Sequence, residues 1–156
     1  MKTFLGKFSD KPVVFLVIFF LTFQLQAQVG TSEESLVITS DDANLVWGPC
    51  PEFMPAGCDV TVLHGDPAKG DVDILFRLQP NTEVPNHWHT SAERMVLVSG
   101  EMEVSYEGED TRILKAGDYA YGPAKKPHTA KCGDSEPCVL FIAFIDPIDA
   151  FAVSED

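Results

Sequence analysis

The sequence is poor in basic residues and in histidine, and both shortages limit its possible functions. Of 156 residues, 11 are Lys or Arg, 24 are Asp or Glu and 4 are His, which gives a net charge of −13. Sequence-independent binding to nucleic acid, or to an anionic membrane surface, needs clustered positive charge, so this composition argues against both partners. Hydrophobic residues make up 45% of the chain, enough for the buried core of one domain.

The chain also lacks a long hydrophobic run. Its main apolar run, residues 13–23, has 11 residues, whereas a transmembrane helix needs about 20. Three lysines precede this run and Ala27 closes the segment after it, which is the pattern of a secretory signal peptide. We therefore expect residues 1–27 to be cleaved, the protein to be periplasmic or extracellular, and no stable membrane insertion to remain. A signal anchor or a lipoprotein is the alternative, although no lipobox cysteine follows the run.

The four cysteines follow this segment, and an even number in an exported chain indicates disulfides. They lie in two short stretches rich in Pro and Gly, which favours the local pairs Cys50–Cys58 and Cys132–Cys138 among three possible connectivities. A zinc site is the alternative, but neither spacing resembles the usual pair of cysteines two residues apart. Cleavage would leave 129 residues with 8 basic and 23 acidic side chains, a net charge of −15.

No window of the sequence keeps a helical period without a Gly or Pro, so we predict an all-β domain. Short β-rich runs alternate with turn residues every 8–12 positions, as in sandwiches and barrels. The clearest runs are residues 60–63, 73–78, 94–98, 102–106, 111–114 and 139–145. The predicted organisation is a polar lead at 28–35, one β-domain at 36–150 and a tail at 151–156, whose last three residues are expected to be solvated.

Three of the four histidines lie in two short clusters. His87 and His89 are two residues apart, so on an extended strand they share a face. A short turn then brings Glu93 back toward them, and His128 opens a later strand. Such mixed nitrogen and oxygen ligands suit one divalent transition metal (Fe, Mn, Ni, Cu, Co or Zn) and suit Ca²⁺ or Mg²⁺ poorly. Exposed strand histidines, or a pH-sensing cluster with Glu93, are the alternatives. His64, beside a turn, is expected to be an exposed loop residue.

Two segments of the chain resemble the two cupin motifs. Residues 81–100 are similar to the motif G-x5-H-x-H-x3-E-x6-G, with His87, His89 and Glu93 at its ligand positions. Residues 117–128 are similar to the motif G-x5-P-x-G-x2-H-x3-N, with His128 at its histidine. The resemblance covers about residues 72–145. It implies a double-stranded β-helix, the jelly-roll cupin barrel, with these four side chains lining the barrel and holding one metal.

The chain departs from these motifs at three positions. Asn81 and Lys125 replace glycines, and Cys132 replaces the closing asparagine. None is a ligand position, so the implied metal site is little affected, but the loop before His128 is expected to differ in course. Residues 136–141 resemble the cupin domains of the anti-sigma-factor and acetylacetone-dioxygenase group.

Four protein ligands leave open positions on a six-coordinate metal, which is typical of catalytic sites. We therefore expect a metal-dependent oxidoreductase of dioxygenase type that acts on a small, fairly apolar organic molecule. The alternatives are a non-catalytic metal or small-ligand binding protein and a Lewis-acid isomerase or lyase. The resemblance also suggests a homodimer. The side chains expected to line the substrate pocket are Phe76, Met95, Leu97, Tyr119, Tyr121 and Phe141.

Overall fold

The computed structural model describes residues 34–39 and 42–154, so the predicted signal peptide and most of the polar lead lie outside the described residues. The chain divides into two units, residues 1–36 and 37–156, and the strands found among the described residues all lie in the second. The described residues form eleven strands and no helix: β1 (Gly48–Pro49), β2 (Cys58–Asp66), β3 (Gly70–Leu78), β4 (Glu83–Trp88), β5 (Glu93–Ser99), β6 (Glu101–Tyr106), β7 (Arg112–Lys115), β8 (Tyr119–Gly122), β9 (His128–Cys132), β10 (Cys138–Phe144) and β11 (Phe151–Ala152). Within this part of the chain, no helix is long and apolar enough to cross a membrane.

The strands form two antiparallel sheets, which confirms the predicted all-β jelly roll. The six-stranded sheet has the order β1-β2-β3-β10-β5-β8, and the five-stranded sheet has the order β11-β4-β9-β6-β7. Some neighbours are consecutive strands, such as β2 and β3 or β6 and β7, but β10 pairs with β3 and β5, and β9 pairs with β4 and β6, because the chain crosses from one sheet to the other. This topology brings β4, β5 and β9, which carry the histidine motifs, around one interior.

The core follows the period of two expected of half-buried strands. Along β10 the buried positions are Cys138, Leu140, Ile142 and Phe144, and the residues between them are only partly buried. The same alternation on β5 buries three inward residues of very different chemistry, which are Glu93, Met95 and Leu97. The alternation along each strand therefore decides which residues face the interior, even where the inward residue is charged.

Each of the six predicted β-runs corresponds to a strand, although residues 111 and 145 fall just outside, and two further details differ. Phe151 and Ala152, placed in the predicted tail, form β11 and pair with Trp88 and His87. The rings of Phe151 and Trp88 stack at 4.5 Å between centroids, and this apolar contact holds the segment on the sheet. His64 is exposed as expected, but it lies within β2 and not in a loop.

Both disulfides have the pairing that the short loops favoured. Cys50 bonds to Cys58 with 5.6 Å between their Cα atoms, and Cys132 bonds to Cys138 with 5.7 Å. The second disulfide joins the end of β9 in one sheet to the start of β10 in the other. It therefore links the two sheets across the turn at residues 133–137.

The motif positions that lack glycine keep a glycine-like backbone. Asn81 has φ of 60° and Lys125 has φ of 62°, both in the left-handed region where glycine is favoured. The Lys125 amide donates to the carbonyl of His89 at 2.7 Å, which ties the loop before His128 to the histidine motif. Lys125 thus adopts a left-handed backbone conformation in this loop, and the expectation that the loop differs in course stays a prediction.

Candidate metal centre

Four inward side chains from three strands meet at one end of the interior. His87 lies near the end of β4 and pairs in register with His128, the first residue of β9. His89 follows β4 directly, and the turn after it delivers Glu93 as the first residue of β5. All four side chains are buried, with 4 to 8% of their surface exposed.

The imidazoles converge closely enough to share one ion. Ligand atoms of His87, His89 and His128 all lie within 4.8 Å of one another. The Glu93 carboxylate approaches two of them, with Oε1 at 3.4 Å from Nε2 of His89 and Oε2 at 3.4 Å from Nε2 of His128. The residues that the motifs singled out are therefore brought together, although their role as ligands remains a prediction.

Backbone carbonyls fix the orientation of all three rings. Nδ1 of His87 lies 2.8 Å from the carbonyl oxygen of Pro85, and Nδ1 of His128 lies 3.1 Å from that of Lys126. Nδ1 of His89 lies 2.5 Å from the carbonyl oxygen of Asp149. A carbonyl can only accept, so each Nδ1 carries the proton and each Nε2 presents a lone pair to the site.

These nitrogen and oxygen atoms are better suited to bind a divalent metal than to form a network of hydrogen bonds with one another. Nε2 of His89 is buried and has no hydrogen-bond partner among the described residues. The imidazole nitrogens and the carboxylate face one another, and a cation bound between them would satisfy these buried acceptors together. His87, His89, His128 and Glu93 could therefore hold a transition metal, for which nitrogen and carboxylate ligands are suitable.

Burial opposes protonation of the His87 and His128 imidazoles. Desolvation, helped by the nearby His128, lowers the pKa of His87 from 6.5 to about 3. Desolvation also lowers the pKa of His128, against the opposing effect of Glu93. Neutral imidazole is the form that coordinates metals, so near neutral pH these two rings are ready to bind one. The same shifts count against the alternative of a pH sensor that ion-pairs with Glu93 near neutrality.

A cavity of about 170 Å³ opens beside the histidines and is lined almost wholly by apolar side chains. Methionines at 54, 95 and 102 contribute to the wall together with aliphatic and aromatic residues of both sheets. Thioether side chains are flexible and polarisable, so they adapt to ligands of irregular shape. The cavity thus offers a small apolar molecule a place next to the cluster.

Two of the six side chains predicted to line the pocket do so, and four do not. Phe76 and Met95 line the cavity. Leu97 is fully buried but belongs to the packed core beyond the lining residues. Tyr119 and Tyr121 are 60% and 52% exposed, because on β8 the inward position between them is Ala120.

Phe141 does not line the cavity either, because it lies on the outward face of its strand. Its neighbours Leu140 and Ile142 point inward and line the cavity, so Phe141 lies on the opposite face of β10 and is only half-buried. Aromatic character suggested these residues, but the register of each strand decides which face a side chain occupies.

Tyr106 is a cavity residue that the sequence prediction missed. It pairs in register with His128, and its hydroxyl is buried without a hydrogen-bond partner among the described residues. Burial and the nearby Glu93 carboxylate raise its pKa above the usual range. The period of two could have indicated this residue. Met102 and Val104 point inward on β6, and the next position on the same face is 106.

Gly122 makes room for this polar pair. A Cβ atom at Gly122 would lie 2.9 Å from Oε2 of Glu93 and 3.1 Å from the hydroxyl oxygen of Tyr106. The first contact is closer than a Cβ atom normally makes and the second is tight, so the absence of a side chain here leaves room for the carboxylate and the phenol in one corner of the site.

The segment that carries these four side chains matches the model of a known protein family. The family model of the cupin domain matches residues 74–144, a span that includes all four candidate ligands. Residues 74–144 therefore match the cupin domain, and the cupin fold expected from the two motifs is confirmed. No curated protein matches the cupin significantly.

Solved structures share the cupin fold at low sequence identity. The DMSP lyase DddQ from Ruegeria pomeroyi is 18% identical with a TM-score of 0.61, over 70% of this chain and 61% of that one. The polyketide cyclase RemF from Streptomyces resistomycificus is 18% identical with a TM-score of 0.63, over 78% and 88%. Oxalate decarboxylase from Bacillus subtilis is 21% identical with a TM-score of 0.52, over 62% and 28%. The cupin thus spans less than two thirds of the lyase and of the decarboxylase.

Proposed function

We propose that this cupin is an exported, metal-dependent enzyme that acts on a small and mostly apolar organic molecule. The observation that carries the proposal is the set of three Nε2 lone pairs, oriented by carbonyls on Nδ1, that converge with Glu93 at the wall of an apolar cavity. Export is supported by the pattern of residues 1–27 and agrees with the two disulfides.

The reaction class we favour is that of an oxidoreductase of dioxygenase type. A bound transition metal with open positions would supply Lewis acidity or dioxygen chemistry. The chain itself would contribute the four ligands and an apolar enclosure that excludes water from the substrate. His87, His89, Glu93 and His128 are the proposed ligands, and the metal is one of Fe, Mn, Ni, Cu, Co and Zn. The homodimer suggested by the family resemblance stays a prediction.

A Lewis-acid lyase or isomerase is the second candidate, and Tyr106 is the observation that favours it. Such reactions move a proton on the substrate, and the buried phenol is a group that could give or take one beside the cavity. The solved structures with a similar fold include a lyase, a decarboxylase and a cyclase. They share only the fold, so the choice depends on assays.

The assay uses the mature protein loaded separately with Fe²⁺, Mn²⁺, Ni²⁺, Cu²⁺, Co²⁺ or Zn²⁺. Panels of diketones, thiols and phenols are followed for oxygen uptake, and the same panels are followed without oxygen for elimination and isomerisation products. Oxygen uptake that matches substrate loss supports the dioxygenase. Turnover that persists without oxygen supports the lyase or isomerase. Metal binding without turnover on any panel contradicts the enzyme proposal and favours a binding protein.

Replacing Tyr106 distinguishes the two reaction classes further. If the hydroxyl moves a proton, Tyr106→Phe lowers kcat about 10²- to 10⁴-fold while the bound metal is retained. Tyr119→Phe is the matched control, because its ring is exposed on the outer face. Equal kcat for wild type and Tyr106→Phe in an oxygen-independent reaction would contradict a proton-transfer role for this residue.

A further inference from the structure

The carboxylate of Asp149, far from the motifs in sequence, is bonded to the turn that joins two candidate ligands. Its Oδ1 accepts from the amide of Thr90 at 2.8 Å, and its Oδ2 accepts from the hydroxyl of the same residue. The main-chain carbonyl of Asp149 accepts from Nδ1 of His89. One residue therefore contacts the histidine and its sequence neighbour at three points.

Asp149 belongs to residues 145–153, here called the C-terminal strap. Amides of the strap at Ile145 and Asp146 both donate to the hydroxyl of Ser91 at 3.2 Å, and the amide of Ile148 donates to the carbonyl of Pro67 at 2.9 Å. The strap ends in β11 on the edge of the five-stranded sheet. It is thus held at several points along its length, and Asp149 lies between them.

The strap also forms part of the cavity wall, through Ile148, Asp149 and Ala150. The residues it holds, Thr90 and Ser91, lie in the turn that separates His89 from Glu93. A shift of Asp149 would therefore move the carbonyl that orients the His89 ring and, with it, the direction of the Nε2 lone pair. Hydrogen bonds that orient a ligand affect metal affinity even though they do not touch the metal.

We propose that Asp149 is a positioning residue for the candidate metal centre. Its carboxylate fixes the strap to Thr90, and this anchoring holds its own carbonyl where it orients the His89 imidazole toward the other ligands. The inference rests on the proposed metal-binding function. It makes the strap a second support of the site, additional to the strands that carry the ligands.

The test measures Co²⁺ affinity and the visible absorption of the Co²⁺-loaded protein for Asp149→Ala. Loss of the carboxylate releases the strap from Thr90, so the dissociation constant should rise about 10- to 100-fold and the ligand-field bands should shift. Asp149→Asn keeps an oxygen that can accept from the Thr90 amide, and it should recover part of the affinity. Thr90→Val removes only the hydroxyl contact and should weaken binding less than Asp149→Ala.

Asp146→Ala is the matched control, because this strap carboxylate is exposed. It should leave both affinity and spectrum unchanged. If wild type binds Co²⁺ and both Asp149→Ala and Thr90→Val bind it with unchanged affinity and spectrum, the positioning role is wrong while the metal site stands. If Asp149→Ala does not fold, Thr90→Val alone decides in the same way. If wild type itself binds no Co²⁺, the proposed function fails and the positioning role fails with it.

Discussion

The two ends of the barrel interior share the same alternation of buried and exposed residues, but they bury different kinds of side chain. At one end, here called the site end, His87, His89, Glu93 and His128 face one another beside the cavity. At the other, here called the closed end, the side chains of Leu78, Leu97, Cys132 and Cys138 have no exposed surface. Strand β5 reaches both, since Glu93 pairs with Phe144 at the site end and Leu97 pairs with Leu140 toward the closed end.

The closed end and the site end therefore contribute differently to stability and to chemistry. The closed end gains free energy from apolar burial and from a disulfide between the sheets. The site end instead buries three imidazoles and a carboxylate, whose desolvation costs free energy until a cation satisfies them. Changes at the closed end should therefore alter stability alone, whereas changes at the site end should alter metal binding.

The largest effect on stability is expected from Leu97→Ala. Because Leu97 is fully buried in the core, its truncation should lower the free energy of unfolding by about 2–5 kcal/mol. Denaturant unfolding measures the loss. Metal stoichiometry should stay at the wild-type value, and a loss of metal from the folded variant would show that the two ends are not independent.

The two disulfides should contribute similarly to stability but differently to ligand binding. Replacing either pair with Ser should lower the free energy of unfolding by about 2–3 kcal/mol, since both loops are short. Only the Cys50–Cys58 loop carries cavity-lining residues, Pro51 and Met54. Removal of that disulfide should therefore also weaken binding of small apolar ligands, measured by calorimetry. Equal ligand binding in the two double variants would contradict this distinction.

A more gradual effect is the pH dependence of stability in the metal-free protein. The pKa of His87 is 6.5 unfolded and about 3 folded, so between these values the unfolded state binds more protons. The free energy of unfolding should therefore fall as pH decreases from 6.5 toward 3, by about 1.4 kcal/mol per pH unit from this group. His128 acts in the same direction.

The control for this pH dependence comes from the two ends of the barrel. His87→Ala should flatten the dependence measured by denaturant unfolding, because it removes one titrating group. Leu97→Ala should keep the wild-type slope, since it changes only the closed end. An unchanged slope in His87→Ala would mean that this imidazole is not held neutral in the fold.

The sequence was sufficient to predict what depends on local spacing. The period of two placed His87 and His89 on one face, and short Pro- and Gly-rich loops favoured the observed disulfides. It failed where strand register decides, as with Tyr119, whose predicted inward position is taken by Ala120. Asp149 could not be found at all, because its hydrogen bonds to a turn 59 residues earlier arise only from the tertiary fold.

The most direct test of the metal centre is the metal content of purified mature protein and of the double variant His87→Ala/His89→Ala, measured by elemental analysis after loading and desalting. Wild type should retain one divalent transition metal per chain, and the double variant should retain almost none while keeping the β-rich circular dichroism spectrum. Leu97→Ala serves as the control for nonspecific loss. A double variant that folds and retains the wild-type metal stoichiometry would contradict the account.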